Sequence, residues 1–160
     1  LLMTPDRNLA RNTARQTDKT IHLWDGCCPI HDRLTVDDVK AARAAHPDAK
    51  FMAHPECRPE VVELADAALS TSGMIRFAAQ SDATEFIVGT ENGLLYPLAQ
   101  KTPGKKFYPV SDKMICADMK KITPQHILDC LTNMSGQVKV PEDIRVPALA
   151  SVERMIALAR

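Results

Sequence analysis

Lys50-Phe51-Met52-Ala53-His54-Pro55-Glu56-Cys57 is the stretch on which the reading of this chain turns. Lys50 to Ala53 has the length and apolar character of a short strand. Pro55 stops the pairing, because its ring fixes φ and leaves no N–H for a sheet. Pro59 suits the first turn of a helix, where a missing N–H costs nothing. His54 and Glu56 therefore fall in a strand-to-helix loop at the carboxyl end of a strand. Open α/β sheets hold their ligands there.

Working outward, the same alternation continues in both directions. Upstream, 1–3 reads as the end of a strand, 5–16 as a helix with Asp6 as N-cap, and 20–24 as a strand. That strand runs into a Gly/Pro loop, Asp25-Gly26-Cys27-Cys28-Pro29-Ile30-His31. Thr35-Val36-Asp37-Asp38 resembles a capping box with Asp in place of Glu, and Val36, Val39, Ala42 and Ala45 keep helical spacing up to His46-Pro47. Downstream, the pattern predicts a helix over 59–66 with Val61, Val62 and Ala65 inward, then a strand over 67–69 that breaks at Ser70-Thr71-Ser72-Gly73. A helix over 74–80, a buried strand over 85–89, a turn at 90–93, a helix over 94–100 and a strand over 106–108 follow. Beyond Cys116 come helices near 124–131 and 148–159, with 138–141 extended between them. Strands alternating with helices through short links imply parallel pairing, an α/β fold. Strand, polar loop and helix recur four times, and the loops carry Cys28 and His31, His54 and Glu56, Ser70 and Thr71, and Glu91 and Asn92.

Composition narrows the function classes. The 160 residues are 45% hydrophobic, enough to bury a core. Lys+Arg and Asp+Glu are 20 each, and no basic stripe interleaves with aromatics, so nothing points to nucleic acid. No apolar run approaches the ~20 residues of a membrane span, and Leu1-Leu2-Met3 is followed at once by Thr4-Pro5-Asp6-Arg7, unlike a signal peptide. Five cysteines, an odd number, favour a reducing compartment with metal-binding or reactive thiols over a disulfide scaffold. The chain opens inside a strand, which leads us to expect the C-terminal part of a longer protein.

Several groups could carry chemistry, and each has a plainer reading beside it. Cys28 and Cys116 both follow a strand, and thiolates are soft ligands for zinc, copper(I) or iron–sulfur clusters. Single cysteines are more often small buried hydrophobes, and Cys130 reads so most clearly, on a helix face with Ile127 and Leu131. Cys28, His31, His54 and Cys57 together would make a tetrahedral zinc site, as a structural or interaction module. His54 and Glu56 read either as a loop histidine and a first-turn carboxylate, or as a donor to an anionic substrate beside a general base. Spacing alone leans to the first. Ser70-Thr71-Ser72-Gly73 offers hydroxyls and N–H groups at a helix start, an anion site or an ordinary cap. Lys120-Lys121 reads as a solvated pair.

Taken together, the loops resemble one family. Asp25-Gly26-x-Cys28-Pro29-Ile30-His31, His54-Pro55-Glu56-Cys57, Ser70-Thr71-Ser72-Gly73, Glu85-Phe86-Ile87-Val88-Gly89-Thr90-Glu91 and Cys116-x-x-Met119-Lys120 resemble quinolinate synthase, as does Pro5-Asp6-Arg7-Asn8-Leu9. The resemblance spans nearly the whole chain in order. It implies three-layer αβα sandwich domains with short parallel sheets in a pseudo-threefold arrangement, the first domain lying upstream of this chain. Residues 1–30 would end the second domain, 31–116 would form the third, and 117–160 would be a helical tail packing on the first. It implies condensation of iminosuccinate with dihydroxyacetone phosphate to quinolinate, in de novo NAD biosynthesis in the cytoplasm, with iminosuccinate supplied by L-aspartate oxidase. It further implies a [4Fe–4S] cluster held by three cysteines, with Cys28 and Cys116 as the second and third and the first upstream. Glu56 and His54 would be catalytic, His54, Pro55, Glu56, Ser70 and Thr71 would bind substrate, and His31 would lie near the site. Cys27 and Cys57 match no ligand. Two cysteines cannot hold such a cluster, so the resemblance makes this stretch inactive alone. Membrane and nucleic acid have no part in it.

Overall fold

The computed structural model describes residues 1–158 and divides them into two compact units, 1–117 and 118–158 within the described range. The first unit is α/β. A two-stranded parallel sheet pairs β1 (Leu2–Met3) with β2 (His22–Leu23), joined by helix α1 (Arg7–Ala14). Asp6 is the N-cap of α1, as its residue type predicts, and its carboxylate accepts from Leu9 N–H at 2.7 Å.

The larger sheet holds β3 (Lys50–Ala53), β4 (Ala67–Ala68), β5 (Glu85–Gly89) and β6 (Lys106–Pro109), all parallel in the order β4-β3-β5-β6. Successive side chains along a strand point to opposite faces, so each strand feeds two cores. Phe51, Ala53 and Ile87 pack on one face with Leu34, Val39 and Ala42 of the segment containing α3 (Val36–Ala45), and with Val61 of α4 (Pro59–Val62). Met52, Phe86 and Val88 pack on the other with Met74 and Ala78 of α5 (Thr71–Gln80) and Leu98 of α6 (Leu95–Lys101). Helix, sheet and helix thus form three layers. Burial of each such large side chain contributes about 1.5–3 kcal/mol. Gly89, which closes β5, has no room for more: a Cβ would stand 2.7 Å from the Phe51 ring.

The loop that leaves β3 enters α4 on the first face, and the loop that leaves β5 enters α6 on the second. Adjacent parallel strands whose exits diverge leave a crevice at their carboxyl edge. His54 and Glu56 follow β3, and Thr90 and Glu91 follow β5, so both loops open onto that crevice.

Three local expectations change. The Gly/Pro loop does not run through His31, because Pro29 starts a one-turn helix, α2 (Pro29–Asp32), with Cys28 as its N-cap. Pro fits a first helical position. The helix after Pro59 is one turn, not two, because Asp66 leaves it to cap the strand edge: its carboxylate accepts from Phe51 N–H at 2.7 Å. The helix α5 begins earlier than expected, at Thr71, with Ser70 as N-cap. The Thr35–Asp38 capping box is present as read.

The second unit holds a short 3-10 turn (Met119–Lys121), α7 (Pro124–Asn133) and α8 (Glu142–Leu158). Thr123 caps α7 through His126 N–H at 3.2 Å. Helix α8 starts earlier than the expected 148, and the expected end at Ala159 lies outside the described residues. No described helix is long and apolar enough to cross a membrane.

Candidate functional site

The 54–57 turn is built from its own backbone. His54 N–H donates to Gly89 O at 3.0 Å, which ties the end of β3 to the end of β5. Cys57 N–H closes back on His54 O at 2.9 Å, and Glu56 N–H donates to His54 Nδ1 at 3.3 Å. Since Nδ1 accepts, the proton of the neutral ring sits on Nε2. Burial, and then the neighbouring His31, lower the His54 pKa to about 4, so the ring is neutral at ordinary pH. Nε2–H is then a neutral donor.

His31 lies below it, with the ring centroids 4.4 Å apart and 9° between planes. His31 Nδ1 is 2.9 Å from Glu56 Oε2, and Nε2 is 2.8 Å from Thr90 Oγ1. An ionised Glu56 only accepts, so His31 Nδ1–H donates to it and Nε2 accepts from the Thr90 hydroxyl. The two stacked rings hold opposite tautomers. Burial pulls the His31 pKa below its ordinary value, against the opposing pull of Glu56. Thr90 is 2% exposed, so this chain of three groups is shielded from water on one side.

Cys28 completes the cluster. Its N–H donates to Asp6 Oδ2 at 2.8 Å, and its thiol is half-buried and free. Cys28 Sγ, a His31 ring nitrogen and a Glu56 oxygen lie within 4.8 Å of one another. The Cys28 and Cys116 thiols are both free and half-buried and border the same apolar cluster, though Cys116 is not part of the Cys28–His31–Glu56 group. Cys116 is held by its N–H on Glu91 Oε1 at 3.3 Å, while Glu91 Oε2 accepts from Gly93 N–H at 2.7 Å.

Cys57 does not fit a metal site. It is fully buried, its thiol donates to Gly89 O at 3.5 Å, and burial pushes its pKa up to about 12. The zinc set of Cys28, His31, His54 and Cys57 is therefore not gathered: the group brought together has Glu56 in place of His54 and Cys57. Cys130 is also corrected. It is exposed, and its thiol donates to Ser135 O at 3.0 Å, because the turn after α7 brings that carbonyl back.

Ser70 and Thr71 sit on the same sheet edge, after β4, which runs parallel to β3. Ser70 Oγ accepts from Gly73 N–H at 3.2 Å, and Thr71 is exposed. Among the described residues no hydrogen bond joins either to the His31–Glu56–His54 group.

Sequence reading missed Thr90, His31 as the partner of Glu56, and two asparagines. Asn8 donates to Asp32 Oδ1 at 2.8 Å and to Glu56 O at 3.2 Å, and Asn12 donates to Pro55 O at 2.8 Å and Cys57 O at 2.9 Å. The Asn8 amide, helped by Arg58 and Arg7, holds the Asp32 carboxyl below its usual range. The signal was available: Asn8 and Asn12 are four apart on α1, and the helix buries them with Ala10.

The family model described as Quinolinate synthetase A protein matches residues 1–157. Among curated proteins, the chain is 49% identical over 160 residues to a quinolinate synthase of Geobacter metallireducens, covering all of this chain and 53% of that protein. It is 47% identical over 158 residues to one of Methanoregula boonei, covering 99% of this chain and 52% of that protein. It is 48% identical over 159 residues to one of Thermodesulfovibrio yellowstonii, with 99% and 52% covered. The chain spans about half the length of the curated relatives it matches.

Proposed function

The chain belongs to the quinolinate synthetase A protein family, and from that premise we propose that it is the C-terminal part of a quinolinate synthase, condensing iminosuccinate with dihydroxyacetone phosphate and releasing phosphate and water. Residues 1–30 end the second αβα domain of the whole enzyme, 31–116 form the third, and 117–160 pack on the first. Aspartate oxidation supplies the iminosuccinate, in the cytoplasm. This stretch alone is inactive, since a three-cysteine cluster takes its first ligand from outside it.

The observation that carries the reading is the Glu56 carboxylate, 2.9 Å from His31 Nδ1 and 3.7 Å from His54 Nδ1 at the edge of the stacked rings, and within 4.8 Å of the Cys28 thiol. Cys28 and Cys116 would hold a [4Fe–4S] cluster. When bound, its open iron supplies a Lewis acid for a carbonyl or hydroxyl oxygen. Glu56 moves protons at carbons next to a carbonyl, which typically adds ~10²–10⁴-fold. His31 orients Glu56 from the side away from solvent, and Thr90 fixes the His31 tautomer. His54 Nε2–H donates to a substrate oxygen. A neutral donor suits a polyanionic substrate, because it holds an oxygen without trapping the product by charge. Ser70, Thr71 and the first N–H groups of α5 take a carboxylate or the phosphate.

Glu56→Gln in the full-length enzyme tests this. It retains iron and sulfide at the wild-type level and loses turnover by ~10²-fold or more. Wild-type turnover in that variant removes Glu56 from the chemistry.

A further inference from the structure

Helix α1 is tied to both loops that carry the proposed chemistry. Its N-cap, Asp6, accepts from Cys28 N–H at 2.8 Å. Asn8 reaches Asp32 at 2.8 Å and Glu56 O at 3.2 Å. One turn later Asn12 takes Pro55 O at 2.8 Å and Cys57 O at 2.9 Å. Three consecutive carbonyls thus end on two side-chain amides. Asp6, Asn8 and Asn12 are 3%, 0% and 5% exposed.

The partners fix the amide orientation. Carbonyls only accept, so the NH2 of each asparagine faces the turn. The price is that Asn8 Oδ1 and Asn12 Oδ1 are buried without a partner. A native fold keeps such orphans rarely, and here they mark donors whose placement matters more than their acceptors. The turn itself offers these carbonyls nothing: its own N–H groups at 56 and 57 are spent on His54.

We infer that Asn8 and Asn12 are positioning residues that hold the Glu56 carboxylate in place, and that α1 thereby sets its separation from the Cys28 thiol. The inference rests on the roles proposed above for Glu56 and Cys28. Both asparagines are buried and reach the turn only through its backbone carbonyls. They act by denying the 55–57 turn any freedom to slide, and a misplacement of about 1 Å at a reacting group costs on the order of 10²-fold.

The test uses the full-length, cluster-loaded enzyme. Asn12→Asp keeps the shape and turns an acceptor toward two carbonyls, while Asn12→Ser keeps one donor. Turnover falls about 10–100-fold in Asn12→Asp and less in Asn12→Ser, with kcat moving more than KM. Iron and sulfide per chain stay at the wild-type level in both, because no thiol ligand contacts Asn12. Turnover within about twofold of wild type in Asn12→Asp overturns the inference, and so does a loss of kcat matched by a loss of iron. If Asn12→Asp does not accumulate as folded protein, Asn12→Ser decides by the same readouts. Glu56→Gln runs alongside. Full turnover there overturns the reading of Glu56 and this inference with it, whereas loss there with wild-type turnover in Asn12→Asp overturns the clamp alone.

Discussion

Residues 1–117 and 118–158 contrast in how their helices are justified. In the first unit the sheet divides its side chains between two cores, and Phe51, Met52, Phe86 and Ile87 are fully buried. In the second, α7 and α8 have good local credentials. Thr123 caps α7, Pro124 opens it, and Arg145 pairs with Glu142 at 2.7 Å on α8. Yet every described residue of 118–158 is exposed, Leu131, Met134, Val138 and Met155 included. Local signals suffice to specify a helix, while stability comes from burying an apolar face. The first unit has both, and the second, taken by itself, has only the local signals.

Large-to-small changes in this chain should expose that contrast most sharply. Phe51→Ala empties the space between Gly89 and the α3 side of the core, and should cost ~3–5 kcal/mol of unfolding free energy in denaturant titration. A cost below ~1 kcal/mol would mean that the first unit is packed no better than the second.

Acid comes next in size. The unfolded His54 ring takes a proton near the ordinary histidine value, and the folded ring only near pH 4. The folded state therefore binds fewer protons between those values, and stability falls as pH drops through that window. The loss from His54 is on the order of 3 kcal/mol, with His31 acting in the same direction. The near-ultraviolet signal of the packed aromatics should fade over that window before the helical signal of α7 and α8 responds. Coincident loss of both signals at one pH would erase the contrast.

The smallest effect is the most informative about the second unit. Leu131→Ala, on a side chain 68% exposed, should change stability in this chain by less than ~0.5 kcal/mol. If the same substitution costs ~2 kcal/mol or more in the full-length protein, the apolar face of α7 is covered there, and the contrast belongs to the isolated chain.

Much of this was legible in the sequence, for reasons that can be named. Pro55 and Pro59 forced a strand end and a helix start, so His54 and Glu56 had to share a loop. Asp6 and Thr35 announced their helices because a cap is a contact within four residues, whereas the helix capped by Ser70 starts three residues before the 74 read for it. Strand β5 was read at its observed bounds, since Phe86, Ile87 and Val88 feed two cores and leave no polar face. Cys57 and Cys130 were less legible. A thiol's burial is set by what crosses above it, and Cys57 lies under the end of β5 while Cys130 does not lie under anything described.

The sequence by itself determined which residues stand at the carboxyl ends of the strands, because Pro, Gly and capping residues act over a few positions of chain. Only the tertiary structure decided which of them meet. Glu56 is joined to His31 across 25 residues, His31 to Thr90 across 59, and Asn12 to Cys57 across 45. Such contacts are set by strand order and by which face each loop exits to, and a local pattern encodes neither.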